Sequence, residues 1–401
     1  MRLPLLLLIV LWAGGVAVAS APVRAVGGLA PLPVSAPAAP KLSAKAALVR
    51  EDTEGRTLMS KAADTPLSPA STIKMLTAIT ALKVGQPGDT VEIIKADLVG
   101  GSTMNLQAGD TLTLGNLLYG LLIPSGNDAA TAIARLEGAK LPDAARLGAV
   151  GAFVARMNET GAALGLKGTK AMNPHGLDAA GQTATAGDLA RLAELVLADP
   201  VLAPIVRLKE ARVPSRLGSY PVKSTNELAG VGGVIGVKTG TEILAGQNLV
   251  LAVDEGNHRL IAVIMGSEDR YADARALLAY ARANWAWLSL GDPKATPGLA
   301  RALAAWEVVP GLEGRKTMLL DKPTAARLRY QIALDPPDGS ASPDTPGPVP
   351  SVPPGMASAV QGTKIPEGIA GPPGTRGVII YTIGDRELAR VPLIAAPPPK
   401  S

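Results

Sequence analysis

The sequence predicts an α+β protein organised on an antiparallel sheet, followed by a small all-β region. Three observations lead there. A β-hairpin pattern precedes a series of helical periodicities that runs from about residue 71 to residue 198. Two β-rich apolar runs then flank a Gly-Asn turn, and a single helix closes that part. Beyond about residue 290 the texture changes to short β-like segments separated by Pro and Gly.

The elements follow in chain order. Arg2 precedes the apolar run LPLLLLIVLWAGGVAVA, and Ala17-Val18-Ala19 offers a small-x-small cleavage pattern, so residues 1–21 are expected to be a signal peptide. The alternative is an uncleaved anchor, since the run approaches spanning length. Residues 22–43 read as an Ala/Pro-rich linker. AALVRE, the turn DTEG and RTLMSK form a hairpin over residues 46–60. An amphipathic helix follows, with Met75, Leu76, Ile79 and Leu82 at helical spacing. A strand-and-turn region extends to about residue 112, where Thr113 caps a helix through LGNLLYGLLI that Pro124 stops.

PSGNDAA is a short loop opening a helix through about residue 137. Helices are expected near 143–164 and 185–198, the latter with Thr185 and Asp188 as a capping pair and Asp188 as a helix cap. VGGVIGVKTGT leads into NLVLAVDEGNHRLIAVIMGS, two strands around a turn, and an Ala/Leu-rich helix over 271–287 closes a first domain spanning 44–290. KTMLLD, LRYQIAL, GVIIYTI and LARVPLIA assign residues 291–398 to a β domain, interrupted by a Pro-rich insert over 335–364 without fixed structure.

Composition narrows the chemistry. The 401-residue chain is 47% hydrophobic but only 3% aromatic, so its core rests on Leu, Val, Ile and Ala. Its net charge of +5 comes from scattered Lys and Arg with no basic run interleaved with aromatics, which argues against nucleic-acid binding. There is no cysteine, hence no disulfide framework and no lipoprotein attachment site. The two histidines, His175 and His258, make no HExxH, and a zinc site is not expected. His258, in the turn EGNHR, reads as solvated surface; His175, in NPHGLD, reads as a loop brace. A Ser-His-Asp triad would have to use one of these two; for a serine hydrolase built from this inventory, a lysine base is the preferred reading.

PASTIKMLTAITAL offers that pair. Ser71 and Lys74, three residues apart at a helix start, share one face within side-chain reach. They are either a nucleophile with its base, or a cap residue with a solvated lysine. Two further polar triplets stand in otherwise apolar neighbourhoods: Ser125-Gly126-Asn127 and Lys238-Thr239-Gly240. S-x-x-K, S-x-N and K-T-G each arise by chance, but the three in this order, at a helix start, an interhelical loop and a β-rich segment, form a specific constellation.

With these motifs the chain resembles the low-molecular-mass penicillin-binding proteins, the serine D-alanyl-D-alanine carboxypeptidases. LSPASTIKMLTAITAL, GGSTMNLQAGDTLTLGNLLYGLLIPSGNDAATAIA, MNETGAALGLKGTKAMNPHGLD, TATAGDLARLA and GVKTGTEILAGQNLVLAV carry the likeness over about residues 42–290. A weaker similarity continues into IAGPPGTRGVIIYTIGDRELARVPLIAA. Class A β-lactamases have Asp where this chain has Gly126, and Glu159 is followed by TGAA rather than completing their ExxLN segment.

The resemblance implies a penicillin-binding, β-lactamase-like domain, its antiparallel sheet carrying helices on both sides, plus the C-terminal β domain. It implies a D-alanyl-D-alanine carboxypeptidase acting on peptidoglycan stem peptides, with a role in cell-wall organisation and cell shape. Ser71 would attack, Lys74 would be its base, Ser125 would relay the proton to the leaving amine, and Asn127 would hold Lys74 and the substrate amide. Lys238 and Thr239 would bind the terminal carboxylate. Gly240 would let the backbone approach the substrate, and the backbone N–H groups of Ser71 and Thr241 would hold the oxyanion. β-Lactams would acylate Ser71. No cofactor or metal is implied.

Such a protein would be exported, periplasmic or otherwise extracytoplasmic, or peripheral to the membrane. PLIAAPPPKS cannot form the amphipathic C-terminal helix many relatives carry, Gln182 replaces their aromatic or His, and the Pro-rich insert is not a family constant. The alternatives are a DD-endopeptidase or weak β-lactamase of the same fold, or a catalytically idle wall-binding scaffold. Asn173, His175 and Gly176 read as loop architecture, and Asn226 has no assigned role.

Overall fold

The computed structural model describes residues 38–256, 258–292, 299–300, 303, 308–310, 316–334 and 375–396. The expected signal peptide and most of the linker, like the Pro-rich insert, lie outside the described residues. Among those described, no helix is long and apolar enough to cross a membrane.

The strands are β1 (Ala46–Glu51), β2 (Arg56–Lys61), β3 (Thr90–Glu92), β4 (Thr111–Thr113), β5 (Glu210–Ser215), β6 (Gly218–Lys223), β7 (Val234–Glu242), β8 (Gly246–Asp254), β9 (Arg259–Ser267), β10 (Trp285–Leu290), β11 (Val308–Pro310), β12 (Lys316–Asp321), β13 (Leu328–Leu334), β14 (Thr375–Ile383) and β15 (Arg386–Ala395). The helices are α1 (Lys74–Val84), α2 (Leu114–Leu122), α3 (Asn127–Gly138), α4 (Ala144–Ala163), α5 (Ala186–Ala198), α6 (Leu202–Val206), α7 (Arg270–Asn284) and α8 (Lys322–Ala325).

β2-β1-β9-β8-β7 form one sheet, antiparallel at every pairing. It is buried on both faces. Along β9, Ile261, Val263 and Met265 enter the core shared with α1–α6, while Leu260, Ala262 and Ile264 enter the one shared with α7. Strands covered on both sides lose polar alternation, and so they read as unbroken apolar runs. The helix after the 46–60 hairpin is not amphipathic, as its spacing had suggested. Lys74 through Ala81 are buried all round, because Ala78 and Ala81 fill the faces that a surface helix would give to charge.

Two other expectations need correction. The closing helix ends at Asn284, not 287, because Trp285 is extended and β10 pairs antiparallel with β12. Aromatic-rich WAWLSL gains a strand partner by leaving the helix. His258 is not solvated surface: its ring stacks on Trp287 with centroids 3.9 Å apart, because the β8–β9 turn folds against β10. The β1–β2 hairpin also grips the C-terminal strands. Arg56 Nη1 donates to Leu319 O at 2.8 Å, the Leu319 amide donates to Glu54 Oε1 at 3.1 Å, and the Arg56 guanidinium lies 4.6 Å over the Trp285 ring. Beyond them β11-β15-β14-β13 form a four-stranded antiparallel sheet.

Candidate active site

Ser71 lies in a short 3₁₀ turn, Ala70–Ile73, rather than inside the α-helix. The Thr72 hydroxyl donates to Pro69 O at 2.6 Å and the Thr72 amide to the same oxygen at 3.2 Å, which tightens the turn to an i→i+3 pattern. α1 then starts at Lys74, placing the lysine one turn beyond the serine at the head of a helix whose first eight residues are all buried.

Lys74 is 0% exposed, which removes the solvated-lysine reading. Its Nζ lies 2.8 Å from Ser71 Oγ, 2.7 Å from Asn127 Oδ1 and 2.5 Å from His175 O. Two of these three neighbours are carbonyl oxygens, which only accept. A neutral amine would therefore spend both N–H groups on Asn127 and His175 and turn its lone pair to the Ser71 hydroxyl. Burial drives the Lys74 pKa well below the ordinary lysine value. The positive charge of Lys238 lowers it further, against weaker opposition from Glu242 and Asp128.

Asn127 opens α3, and Asp128 holds the approach to it. Asp128 accepts from the amides of Met104 and Leu106, each at 3.1 Å, while the Asn127 amide donates to Ser102 O at 2.7 Å. Asn127 Nδ2 donates to Gly100 O at 2.7 Å, which turns its oxygen to Lys74. Ser125 is buried on the same loop with a left-handed backbone, φ +65°. A side chain on Gly126 would place Cβ 2.6 Å from Asp128 Oδ1 and 2.9 Å from Gly120 O. This loop has no room for the aspartate of the β-lactamase motif.

The third motif lies on β7, which passes the Ser71 turn. A Cβ on Gly240 would lie 3.0 Å from Ser71 N, so a bare backbone is what allows the two segments to meet. Lys238, also buried, donates to Thr239 O at 3.0 Å. Its pKa is lowered to about 7, first by burial and then by Arg270. Arg270, absent from the sequence reading, donates from Nη1 to Gly240 O at 3.0 Å, Thr241 Oγ1 at 3.0 Å and Asn248 O at 3.2 Å. The direct hydrogen-bond cluster therefore unites Ser71, Lys74 and Asn127. Lys238, Thr239, Gly240 and Thr241 run past it on one strand.

The loop from Asn173 to Leu177 completes the cluster through its backbone. Gly176 has φ +92°, and a Cβ there would meet Ala70 O at 2.2 Å, so only glycine fits. Asn173 accepts from the Gly176 amide at 2.7 Å and donates to Leu177 O at 2.9 Å. Gln182 clamps both ends, accepting from the amides of Met172 at 3.2 Å and Asn173 at 3.3 Å and donating to Leu177 O at 2.9 Å. His175 braces the loop through Nδ1, which accepts from the Leu177 amide at 3.3 Å. Asp188 is not a helix cap. Thr185 caps α5, and the Asp188 carboxylate instead accepts from the Gly168 amide and the Thr169 hydroxyl, each at 2.8 Å. Asn226 forms an Asx turn, its Oδ1 accepting from the Leu228 amide at 3.1 Å. Among the described residues no His, Asp and Glu side chains gather as a metal ion would require.

Comparison with known proteins gives one direction. The profile of the Peptidase S11 family, D-alanyl-D-alanine carboxypeptidase, matches residues 33–269. The chain is 32% identical over 266 residues to D-alanyl-D-alanine carboxypeptidase DacC of Escherichia coli K12, covering 60% of this chain and 62% of that protein. It is 32% identical over 273 residues to the D-alanyl-D-alanine carboxypeptidase of Streptomyces sp. K15, covering 64% of this chain and 93% of the relative. The crystal structure of Streptomyces K15 DD-transpeptidase matches with a TM-score of 0.57 and 31% identity, over 61% of this chain and 99% of that one. The chain spans only 62% of the length of the E. coli carboxypeptidases DacC and DacA.

Proposed function

The chain belongs to the D-alanyl-D-alanine carboxypeptidase family, and on that premise we propose that it removes the terminal D-Ala from peptidoglycan stem peptides through an acyl-enzyme on Ser71. One observation carries the reading: a fully buried lysine amine 2.8 Å from a serine hydroxyl, its other two close partners being carbonyl oxygens.

The chemistry runs as follows. Lys74 takes the Ser71 proton as Oγ bonds to the carbonyl carbon of the penultimate D-Ala. The ammonium so formed keeps all three N–H groups satisfied, by Asn127, His175 and the serine oxygen. The tetrahedral oxyanion is held by the backbone N–H groups of Ser71 and Thr241; losing one such donor typically costs about 3 kcal/mol of transition-state stabilisation. The proton returns through Ser125 to the leaving amine, the C–N bond breaks, and water later cleaves the ester. Lys238 and Thr239 bind the terminal carboxylate, with Arg270 beside them as a further positive charge. β-Lactams, which mimic that end, acylate Ser71 and persist. The protein acts outside the cytoplasm, where its substrate is.

Labelling with fluorescent penicillin, together with D-Ala release from a pentapeptide, tests this. Both are expected in the wild type and neither in Ser71→Ala. A wild type that takes no label and releases no D-Ala would leave the idle scaffold as the reading. Parallel assays on cross-linked dimer and a chromogenic cephalosporin separate carboxypeptidase from endopeptidase and β-lactamase.

A further inference from the structure

Thr225 has no part in the chemistry above, yet its hydroxyl oxygen lies 2.6 Å from that of Thr239. Its backbone is fixed at both ends. The Thr225 amide donates to Ile123 O at 3.3 Å, just ahead of the Ser125 loop, and its carbonyl accepts from the Tyr271 hydroxyl at 3.2 Å. Tyr271 follows Arg270 on α7 and also accepts from the Glu227 amide at 3.0 Å, so one phenol fastens the segment on both sides of Asn226. Thr225 thus joins the Ser125 loop, the Lys238–Thr241 strand and the Arg270 helix. Its side chain is exposed, whereas Thr239 is buried.

We propose that Thr225 is a positioning residue for carboxylate recognition: it donates to Thr239 and so reserves the single Thr239 proton for the terminal carboxylate of the substrate. The inference rests on the function proposed above and follows from counting protons. A carboxylate only accepts, and a hydroxyl has one hydrogen to give. If Thr239 donates to the carboxylate, the contact between the two threonines can be made only by the Thr225 proton. The resulting chain, Thr225 to Thr239 to carboxylate, polarises in one sense and strengthens each link. Without Thr225 the Thr239 hydroxyl keeps its place but loses its fixed direction.

The test uses two peptidyl thioesters that give the same acyl-enzyme. In one the thiol leaving group carries a free carboxylate; in the other that carboxylate is a methyl ester. Thr225→Val removes the hydroxyl at nearly constant shape from an exposed position. It is expected to lower kcat/KM about tenfold on the acid, to leave the methyl ester unchanged, and to leave kcat, which shares the acyl-enzyme, within twofold. Thr225→Ser is expected to restore the acid to within twofold of wild type. Unchanged kcat/KM on the acid, an equal loss on both thioesters, or no rescue by serine would each overturn the inference. A wild type that turns over neither thioester and takes no penicillin label would overturn the proposed function, and this inference with it.

Discussion

His175 offers Lys74 its main-chain oxygen, 2.5 Å from Nζ, and not its imidazole. Burial, and then the nearby Lys74, lower the pKa of that ring to about 4, so it is neutral throughout the working range. His175→Ala is expected to slow acylation by penicillin less than about tenfold, because the carbonyl survives the substitution. Lys74→Ala is expected to slow it by about 10³-fold or more, toward the upper range for loss of a general base. Stopped-flow acylation of the two variants distinguishes the side chain from the backbone.

The two buried lysines predict a pH profile. In the proposed mechanism Lys74 works as a free amine, and burial and then the charge of Lys238 hold its pKa well below 10.5, so acylation should reach its plateau at a lower pH than an ordinary lysine base would allow. In that mechanism Lys238 binds the substrate carboxylate as an ammonium, and its pKa is lowered to about 7. Since kcat/KM reports the free enzyme, it should fall above about pH 7 for substrates with a carboxylate and not for their methyl esters. Stability runs the other way. Both lysines have folded pKa values below their unfolded ones, so the cost of burying charge is full below the folded pKa and gone above the unfolded one. Thermal unfolding of the wild type should therefore shift upward between pH 7 and 10, and less so in Lys238→Met, which is also expected to melt higher at pH 7.

Arg270→Leu should move that falling limb. Arg270 holds the Lys238 pKa down, so its loss lets Lys238 keep its proton to higher pH. It also strips a donor from Gly240 O, Thr241 Oγ1 and Asn248 O. The expected result is a higher KM for carboxylate substrates with the limb displaced to higher pH, read from kcat/KM profiles.

Gly126→Asp tests the packing of the second motif. The new Cβ has to displace Asp128 Oδ1 or Gly120 O, and overpacking of this kind costs about 1–3 kcal/mol. Asp128 also anchors Met104 and Leu106, so penicillin labelling is expected to fall with the melting temperature. A variant that gained β-lactam turnover instead would show that the loop can remodel.

Gln182→Leu keeps the volume of a buried side chain but abandons the amides of Met172 and Asn173, while Leu177 O keeps its bond from Asn173. Both amides are only part-buried, so a loss of about 1–3 kcal/mol is expected in denaturant unfolding. Acylation should slow as well, because the clamped loop carries the His175 oxygen.

Side-chain identity made much of this legible in the sequence. The hydrogen-bonded cluster of Ser71, Lys74 and Asn127 rests on residue types and their order, which a single chain records, and the paired β8 and β9 announce themselves by apolarity. What stayed hidden depends on atoms every residue has or on partners far along the chain. The His175 carbonyl has no signature of its own. Arg270 looks like any surface arginine until α7 brings it to Gly240. Asp188 has the spacing of a capping residue, but the loop at Gly168 and Thr169 competes for its carboxylate and wins. Trp285 and Trp287 continued an alanine-rich helical pattern until β12 offered them a strand.

The partners of Lys74 Nζ are 3, 53 and 101 positions away along the chain. A nascent or half-collapsed polypeptide can bring the first of these near, but the other two require long loops to close. On the proposed function, reactivity toward a β-lactam thus becomes a certificate of completed folding. In refolding from urea, covalent capture should trail the return of helical circular dichroism, and a drug present during biogenesis would spare immature chains and strike only finished ones.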